Sequence, residues 1–214
     1  RTKGERVISI DEMTGIQDLE RQAPDKTIKP GQPIKREFEY IRHGTQTLIA
    51  SFDISSGKIL HESIGQTRTE LDFMTHVQQM VKANPQIKKW HLVMDCLNTH
   101  QSESLVRWIA SNEEIPVMIL GKKGQSGILE SMATRAEFLN NPEHKIVFYY
   151  TPKHCSWLNQ IEMWFSILMR KLLKRGSFLS QGDLAAKIFD FIAYYNDKMA
   201  KPFKWTYKGK VLTA

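Results

Sequence analysis

Three apolar runs in this chain end in aspartate, at Asp11, Asp53 and Asp95. Glu162 is the one acid between Tyr150 and Arg175, on a stretch with helical periodicity. A carboxylate at the end of a strand points out of the core into the crevice where open α/β sheets hold their ligands. Two such aspartates and Glu162 would offer hard oxygen ligands to Mg²⁺. Two ions roughly 4 Å apart can activate a water or a 3′-hydroxyl and stabilise the leaving oxygen of a phosphodiester.

Each of these acids has a plainer use as well. Asp53 precedes Ile54-Ser55-Ser56-Gly57, and Asp commonly opens turns, so it is assigned to the turn. Asp11 and Asp95 open no evident turn, and periodicity alone leaves them as ligands or as ordinary strand-end acids. Ile161, Trp164, Phe165, Leu168 and Leu172 share one helical face. Glu162 falls on its margin, roughly 80–90° from the centre at about 100° per residue. A metal ligand and a surface glutamate both fit there.

The flanking residues are similarly two-sided. After Asp95 come Cys96, Leu97, Asn98, Thr99 and His100. Asn98 or Thr99 can cap the following helix, Cys96 is expected to pack inertly, and His100 can orient a ligand or donate to a phosphate. Lys153, His154, Ser156 and Trp157 precede the Glu162 helix. Ser156 suits an N-cap and Trp157 a core position, yet beside a metal site a basic loop and a helix N-terminus suit a phosphate backbone. Arg170, Lys171, Lys174 and Arg175 close that helix, where the helix dipole favours cations whether or not DNA is present. The loop Gly121–Gly127 lacks the GK[ST] of a Walker motif and reads as solvated.

The elements that must position these groups follow from pattern. Strands are expected at Val7–Asp11, Thr47–Asp53, Lys58–Ile64, Trp90–Asp95 and Lys145–Tyr150, with the second and third forming a hairpin. Residues 18–38, with Pro24, Pro30, Gly31 and Pro33, read as a long exposed loop. Thr67 and Glu70 form a capping box for a helix using Leu71, Met74, Val77 and Val81. Further helices are expected through Leu105, Trp108 and Ile109, from about Ile128 to Leu139, and from about Gly182 to Asp197, the last with Leu184, Ile188, Phe191, Ile192 and Tyr195 inward. Ile115–Leu120 is apolar but of undecided type. A hairpin followed by strand–helix alternation indicates a mixed sheet with helices on its faces, an α/β chain in the order of the ribonuclease H-like fold.

The 214 residues, 41% hydrophobic, suffice for one domain with a sizeable core. No apolar run approaches the roughly eighteen residues of a membrane span, and the N-terminus is no signal peptide. Cys96 and Cys155 are too few for a disulfide framework or a zinc site and suggest a reducing cytosol. The net charge of +7 and pI near 9.3 favour a polyanionic partner such as nucleic acid. A chain beginning at Arg1 is expected to be part of a longer protein.

Four segments together resemble one family: ISIDEMTGIQDLER, HLVMDCLNTH, YTPKHCSWLNQIEMWFSIL, and RGSF continuing to KPFKW at Trp205. They are similar to the catalytic domain of IS630-type transposases, in the IS630/Tc1/mariner superfamily of DDE enzymes. The resemblance implies a ribonuclease H-like fold over residues 1–214 and two Mg²⁺ or Mn²⁺ ions per site. It also implies cleavage of double-stranded DNA at transposon ends with strand transfer to target DNA. It places the catalytic, metal-binding triad on Asp11, Asp95 and Glu162, with Glu12, Asn98 and His100 around it. Lys153, His154, Trp157, Asn159, Arg170, Lys171, Lys174 and Arg175 become the expected DNA contacts. A homodimer in the synaptic complex, no membrane association, and a cytoplasmic, nucleoid-associated location in a bacterium or archaeon are further implications. The helix-turn-helix region such proteins carry upstream is not in this chain.

Two departures accompany the likeness. Cys96 stands where such proteins often have Asn, and the 67 positions from Asp95 to Glu162 (162 − 95) exceed the usual spacing. An insertion at about 113–144 is expected to account for the excess by looping out. A ribonuclease H-like nuclease or resolvase without strand transfer, and a domesticated DNA-binding protein without catalysis, are the two rival readings.

Overall fold

The computed structural model describes residues 4–27, 29–33, 35, 37–204 and 206; Trp205 lies outside them. Five strands form one sheet: β1 (Glu5–Arg21), β2 (Tyr40–Asp53), β3 (Lys58–Gly65), β4 (Lys89–Met94) and β5 (Ile146–Tyr150), in the spatial order β3-β2-β1-β4-β5. The β1–β2 and β2–β3 pairs are antiparallel, whereas β4 lies parallel to β1 and β5 parallel to β4. Helices cover both faces. On one side α1 (Glu70–Ala83), α2 (Glu103–Asn112) and α4 (Met132–Leu139) bury Phe73, Val77, Leu105, Ile109 and Leu139 against Ile8, Ile10, Leu92 and Phe148. On the other, α5 (Ile161–Lys171) and α6 (Gln181–Tyr194) bury Trp164, Leu168, Leu184 and Ile188 against Leu48, Ala50 and Phe52. This is the mixed, ribonuclease H-like α/β sheet that the strand order predicts.

β1 differs most from expectation. It does not stop at Asp11 but continues through Arg21, with a register shift between Met13 and Ile16 at Gly15, whose φ is +66°. Beyond that bulge β1 pairs only with the first half of β2, as a two-stranded ribbon reaching past the sheet. Its turn-forming residues and exposed side chains hide the strand pattern, so residues 18–21, read as loop, are strand. The β2–β3 hairpin is as expected. Gly57 adopts φ +73°, and a Cβ there would come within 2.1 Å of the Lys201 backbone, so the tip requires glycine.

Other elements shift by a few residues. The capping box of α1 is Thr69 with Asp72, which places Leu71 on the exposed side and Phe73, His76, Val77 and Met80 inward. The stretch expected as one helix from Ile128 divides at Ser131, whose side chain caps α4 through the Thr134 N–H. α3 (Val117–Leu120) is a single turn that exposes Val117, Met118 and Ile119. The 113–144 segment does not loop out: Leu120, Leu129 and Leu139 are fully or almost fully buried in the main core. It forms the crossover from β4 to β5. Among the described residues no helix is long and apolar enough to cross a membrane.

Candidate active site

β1 alternation sends Ser9 and Asp11 toward α5, while Ile10 and Glu12 face the other layer. The last β1–β4 pair is Ser9 with Val93, so Asp11 lies two residues beyond it, where the parallel strands part. Ser9 Oγ accepts from the Ile161 N–H at 2.8 Å and donates to Asn159 Oδ1. The Asn159 amide in turn donates to the Ile10 carbonyl at 2.9 Å and to Asp11 Oδ2 at 3.2 Å. Asp11 Oδ1 accepts from the Glu12 N–H at 2.8 Å. Only 7% of Asp11 is exposed. Burial pushes its carboxyl up to about 7, the Glu12 N–H opposes this, and the charge of Asp95 adds to it.

Asp95 follows β4 directly, and its Oδ1 accepts from the Leu97 N–H at 3.0 Å. A one-turn 3-10 helix, Asn98–Gln101, then brings His100 back beneath it. His100 Nδ1 lies 2.8 Å from Asp95 Oδ1 and Nε2 lies 3.0 Å from Glu12 Oε2. The ring packs on Phe73 at 4.3 Å, and Tyr150 Oη donates to the His100 carbonyl at 3.0 Å. Burial alone would lower His100, but the two carboxylates outweigh it and push the imidazole up to about 10. The His100 hydrogen bond is also the main cause that holds Asp95 below the usual carboxylate range. Both ring nitrogens therefore donate, in a carboxylate–imidazolium–carboxylate chain.

Glu162 occupies the first turn of α5, half-buried, where the helix dipole favours an acid. Burial raises its carboxyl, and the charge of Asp95 raises it further. The charge of Asp95 thus bears on both Asp11 and Glu162, although the three carboxylates do not all meet within 4.8 Å of one another. A groove of about 560 Å³ opens beside them, lined by Glu12, Thr14, Glu162 and Arg170 among others.

The donor set suits a hard cation. Two of the three acids are raised by burial and by like charge, the condition a divalent ion relieves. Glu12 Oε1 is buried with no hydrogen-bond partner. Asp11, Glu12 and His100 bring one atom each within 4.8 Å of one another, the only such group of three among the described residues; with both ring nitrogens donating, His100 is a charge partner there and only the carboxylates offer ligand atoms. Asp53 stands apart. It pairs with Ile8, three residues back along β1, and its carboxylate accepts from Ser55 N and from the Ser55 and Ser56 hydroxyls, as expected of a turn opener.

The expected DNA contacts divide. Lys153 and His154 lie on an exposed loop, His154 in the left-handed region at φ +62°. Trp157 is 53% exposed, which excludes the core role open to it in the sequence. Arg170, Lys171, Lys174 and Arg175 are exposed along α5 and the turn after it. Asn159 is a correction: it is 0% exposed and its amide is spent inside the protein, so it meets no DNA. Asn98 is exposed, and the helix cap assigned to it or Thr99 belongs to Ser102, which accepts from the Leu105 N–H. Ser156 caps no helix either; it opens a short 3-10 turn, and α5 begins without a side-chain cap.

Residues 6–185 match the family described as DDE superfamily endonuclease. The chain belongs to that family. Three solved structures of the Mos1 mariner transposase resemble this DDE-family domain. They are a paired-end complex with Mn (TM-score 0.55, 13% identity, 88% of this chain and 48% of that one), the strand transfer complex (0.55, 12%, 90% and 48%) and a pre-cleavage transpososome (0.55, 11%, 90% and 50%). At these identities they bear on the fold, and the domain spans about half the length of those chains. No curated protein matches it by sequence.

Three residues of the DDE-family domain's site were missed in the sequence. Ser9 is a lone hydroxyl inside an apolar strand, a signal available but not used. Tyr150 and Arg135 act through carbonyls of the Asn98–Gln101 turn, and no spacing rule connects residues that far apart.

Proposed function

We propose that this domain is a metal-dependent DNA transposase catalytic unit that cleaves DNA at transposon ends and joins the freed end to target DNA. The observation that carries the reading is the buried Asp11 just past the last β1–β4 pair, beside a His100 ring held between Asp95 Oδ1 and Glu12 Oε2. Asp11, Asp95 and Glu162 are the residues that would hold the cations. Two Mg²⁺ or Mn²⁺ ions bound there would supply an activated nucleophile and charge stabilisation at the leaving oxygen.

The chain's own groups do the rest. Asn159 turns Asp11 toward the crevice, and Ser9 fixes Asn159. His100 holds Asp95 and Glu12 in place by donating to both. Lys153, His154, Trp157, Arg170, Lys171, Lys174 and Arg175 are exposed and would serve as contacts for the DNA backbone, which supplies most of the affinity. Two copies would act together on paired ends.

The decisive experiment compares wild type with Asp95→Asn on an end-sequence oligonucleotide and on a pre-cleaved end. Asp95→Asn is expected to abolish nicking and joining while binding DNA within about threefold of wild type, since phosphate contacts dominate. Metal-dependent nicking by the variant would sink the assignment. Nicking by wild type without a joined product would leave a nuclease, and salt-sensitive binding with no product would leave a binding protein.

A further inference from the structure

We propose that Arg135, in the crossover segment once expected to loop away, is a positioning residue for the His100–Asp95 pair. Arg135 lies on α4 and is only 8% exposed. Its Nε donates to the Gln101 carbonyl at 2.7 Å and its Nη1 to the Leu129 carbonyl at 3.2 Å. Gln101 ends the 3-10 turn that carries His100, and Leu129 ends another, Gly127–Leu129. The guanidinium therefore joins the C-terminal ends of two one-turn helices, and at Leu129 it shares the carbonyl with the Gly124 N–H, which donates at 3.2 Å. Both of these bonds go to main-chain oxygens rather than to a carboxylate. A cation this buried is costly unless its hydrogen bonds are well made, so the contact is a demanding one for the fold to keep.

Its effect on the site follows from the length of the turn. Asn98–Gln101 has four residues, and the backbone is fixed on both sides of the His100 ring: Tyr150 Oη holds the His100 carbonyl and Arg135 holds the next. The ring so placed reaches Asp95 Oδ1 and Glu12 Oε2 together. Without Arg135 the Gln101 carbonyl loses its charge-assisted donor, the turn relaxes, and His100 can no longer serve both acids. The segment between Asp95 and Glu162 thereby sets the geometry of Asp95 instead of merely spacing the acids. This inference rests on the proposed reading of Asp95 as a metal ligand.

The test uses Mn²⁺ as probe, followed by electron paramagnetic resonance of the free ion, on wild type, Arg135→Gln, Arg135→Lys and Leu139→Ala. Leu139 is 0% exposed on the same helix and has no polar atom in its side chain, so its truncation loosens α4 without removing a hydrogen bond to the Asn98–Gln101 turn. Arg135→Gln is expected to weaken Mn²⁺ on the order of tenfold, the usual cost of losing an outer support of a metal ligand, and Arg135→Lys to recover part of it. Leu139→Ala should lower Tm comparably with Mn²⁺ affinity near wild type. The His100 ring N–H resonances provide a metal-independent readout: they should persist in Leu139→Ala and broaden or vanish in Arg135→Gln. Wild-type affinity and intact ring signals in Arg135→Gln, or equal losses in Leu139→Ala, would overturn the inference. A wild-type protein that binds no Mn²⁺ would instead overturn the metal reading, and the ring signals would still decide the role of Arg135.

Discussion

The Asn159 amide donates to Asp11 Oδ2 at 3.2 Å across 148 positions of chain. With the bonds to Ser9 and to the Ile10 carbonyl, it ties the segment before α5 to the strand carrying the first acid. Asn159→Ala removes the donor to Asp11 and leaves the Ser9 hydroxyl without its acceptor in a buried place. Such orphaned groups cost about 1–3 kcal/mol, so urea unfolding should show a loss of that size. Metal-dependent nicking should fall roughly 10–100-fold. A stable variant with full activity would remove Asn159 from the site.

Clustered acids should make the protein respond to divalent ions. Mn²⁺ at about 100 times its dissociation constant is expected to stabilise the fold by about 2.7 kcal/mol, as binding to the native state alone requires. Thermal scans in EDTA and in Mn²⁺ measure this directly. Asp11→Asn should abolish the shift, because Asp11 is central to the buried cluster.

His76 should set an acid limit on stability away from the site. It is buried between Ser51 Oγ at 2.7 Å and Ser63 Oγ at 2.8 Å, with the His61 ring tilted against it at 4.8 Å. Burial first, and the His61 charge second, hold its imidazole well below 6.5. The unfolded chain therefore takes up a proton that the native state refuses, so stability is complete above pH 6.5 and falls as pH drops below it. Below that pH the loss can grow by at most about 1.4 kcal/mol per pH unit for one such group. His76→Gln should flatten the pH dependence of Tm between 5 and 7, whatever its effect at neutral pH.

The proposed DNA contacts should separate by salt. Replacing Arg170, Lys174 or Lys153 singly with Ala should weaken binding uniformly across sequences and lower the salt slope by about 1 each. Asn159→Ala should leave the slope unchanged, since that residue is buried. Fluorescence anisotropy of a labelled duplex between 50 and 200 mM salt distinguishes the two.

Much of this was legible in the chain. The apolar runs ending at Asp53 and Asp95, and the periodicity through Ile161, Trp164 and Leu168, gave the strand order and the buried face of α5 because each repeats on a short period. Asp53 was recognisable as a turn opener for the same local reason. The extension of β1 was not: Ile16 and Asp18 are buried on one face, but a buried aspartate and the Gly15 bulge break the apolar alternation that marks a strand. Nor were the roles of Asn159 and Arg135: a buried amide and an exposed one look alike in sequence, and contacts to carbonyls leave no residue-type signature. Trp157 went the other way, a large aromatic that the fold leaves outside.

The distance along the chain between Asp11 and Glu162 also bears on synthesis. Asp11 sits on the central strand, but its partner Asn159 arrives 148 residues later and Glu162 arrives 151 residues later (162 − 11 = 151). At roughly 5–20 residues per second on the ribosome, about 8–30 s separate the first acid from the last. A β1–β3 meander can form in that interval from contacts that are local in the chain. The assembled cluster cannot exist on an unfinished chain, so under the proposed function a nascent chain would stay inert toward nucleic acid until α5 has emerged.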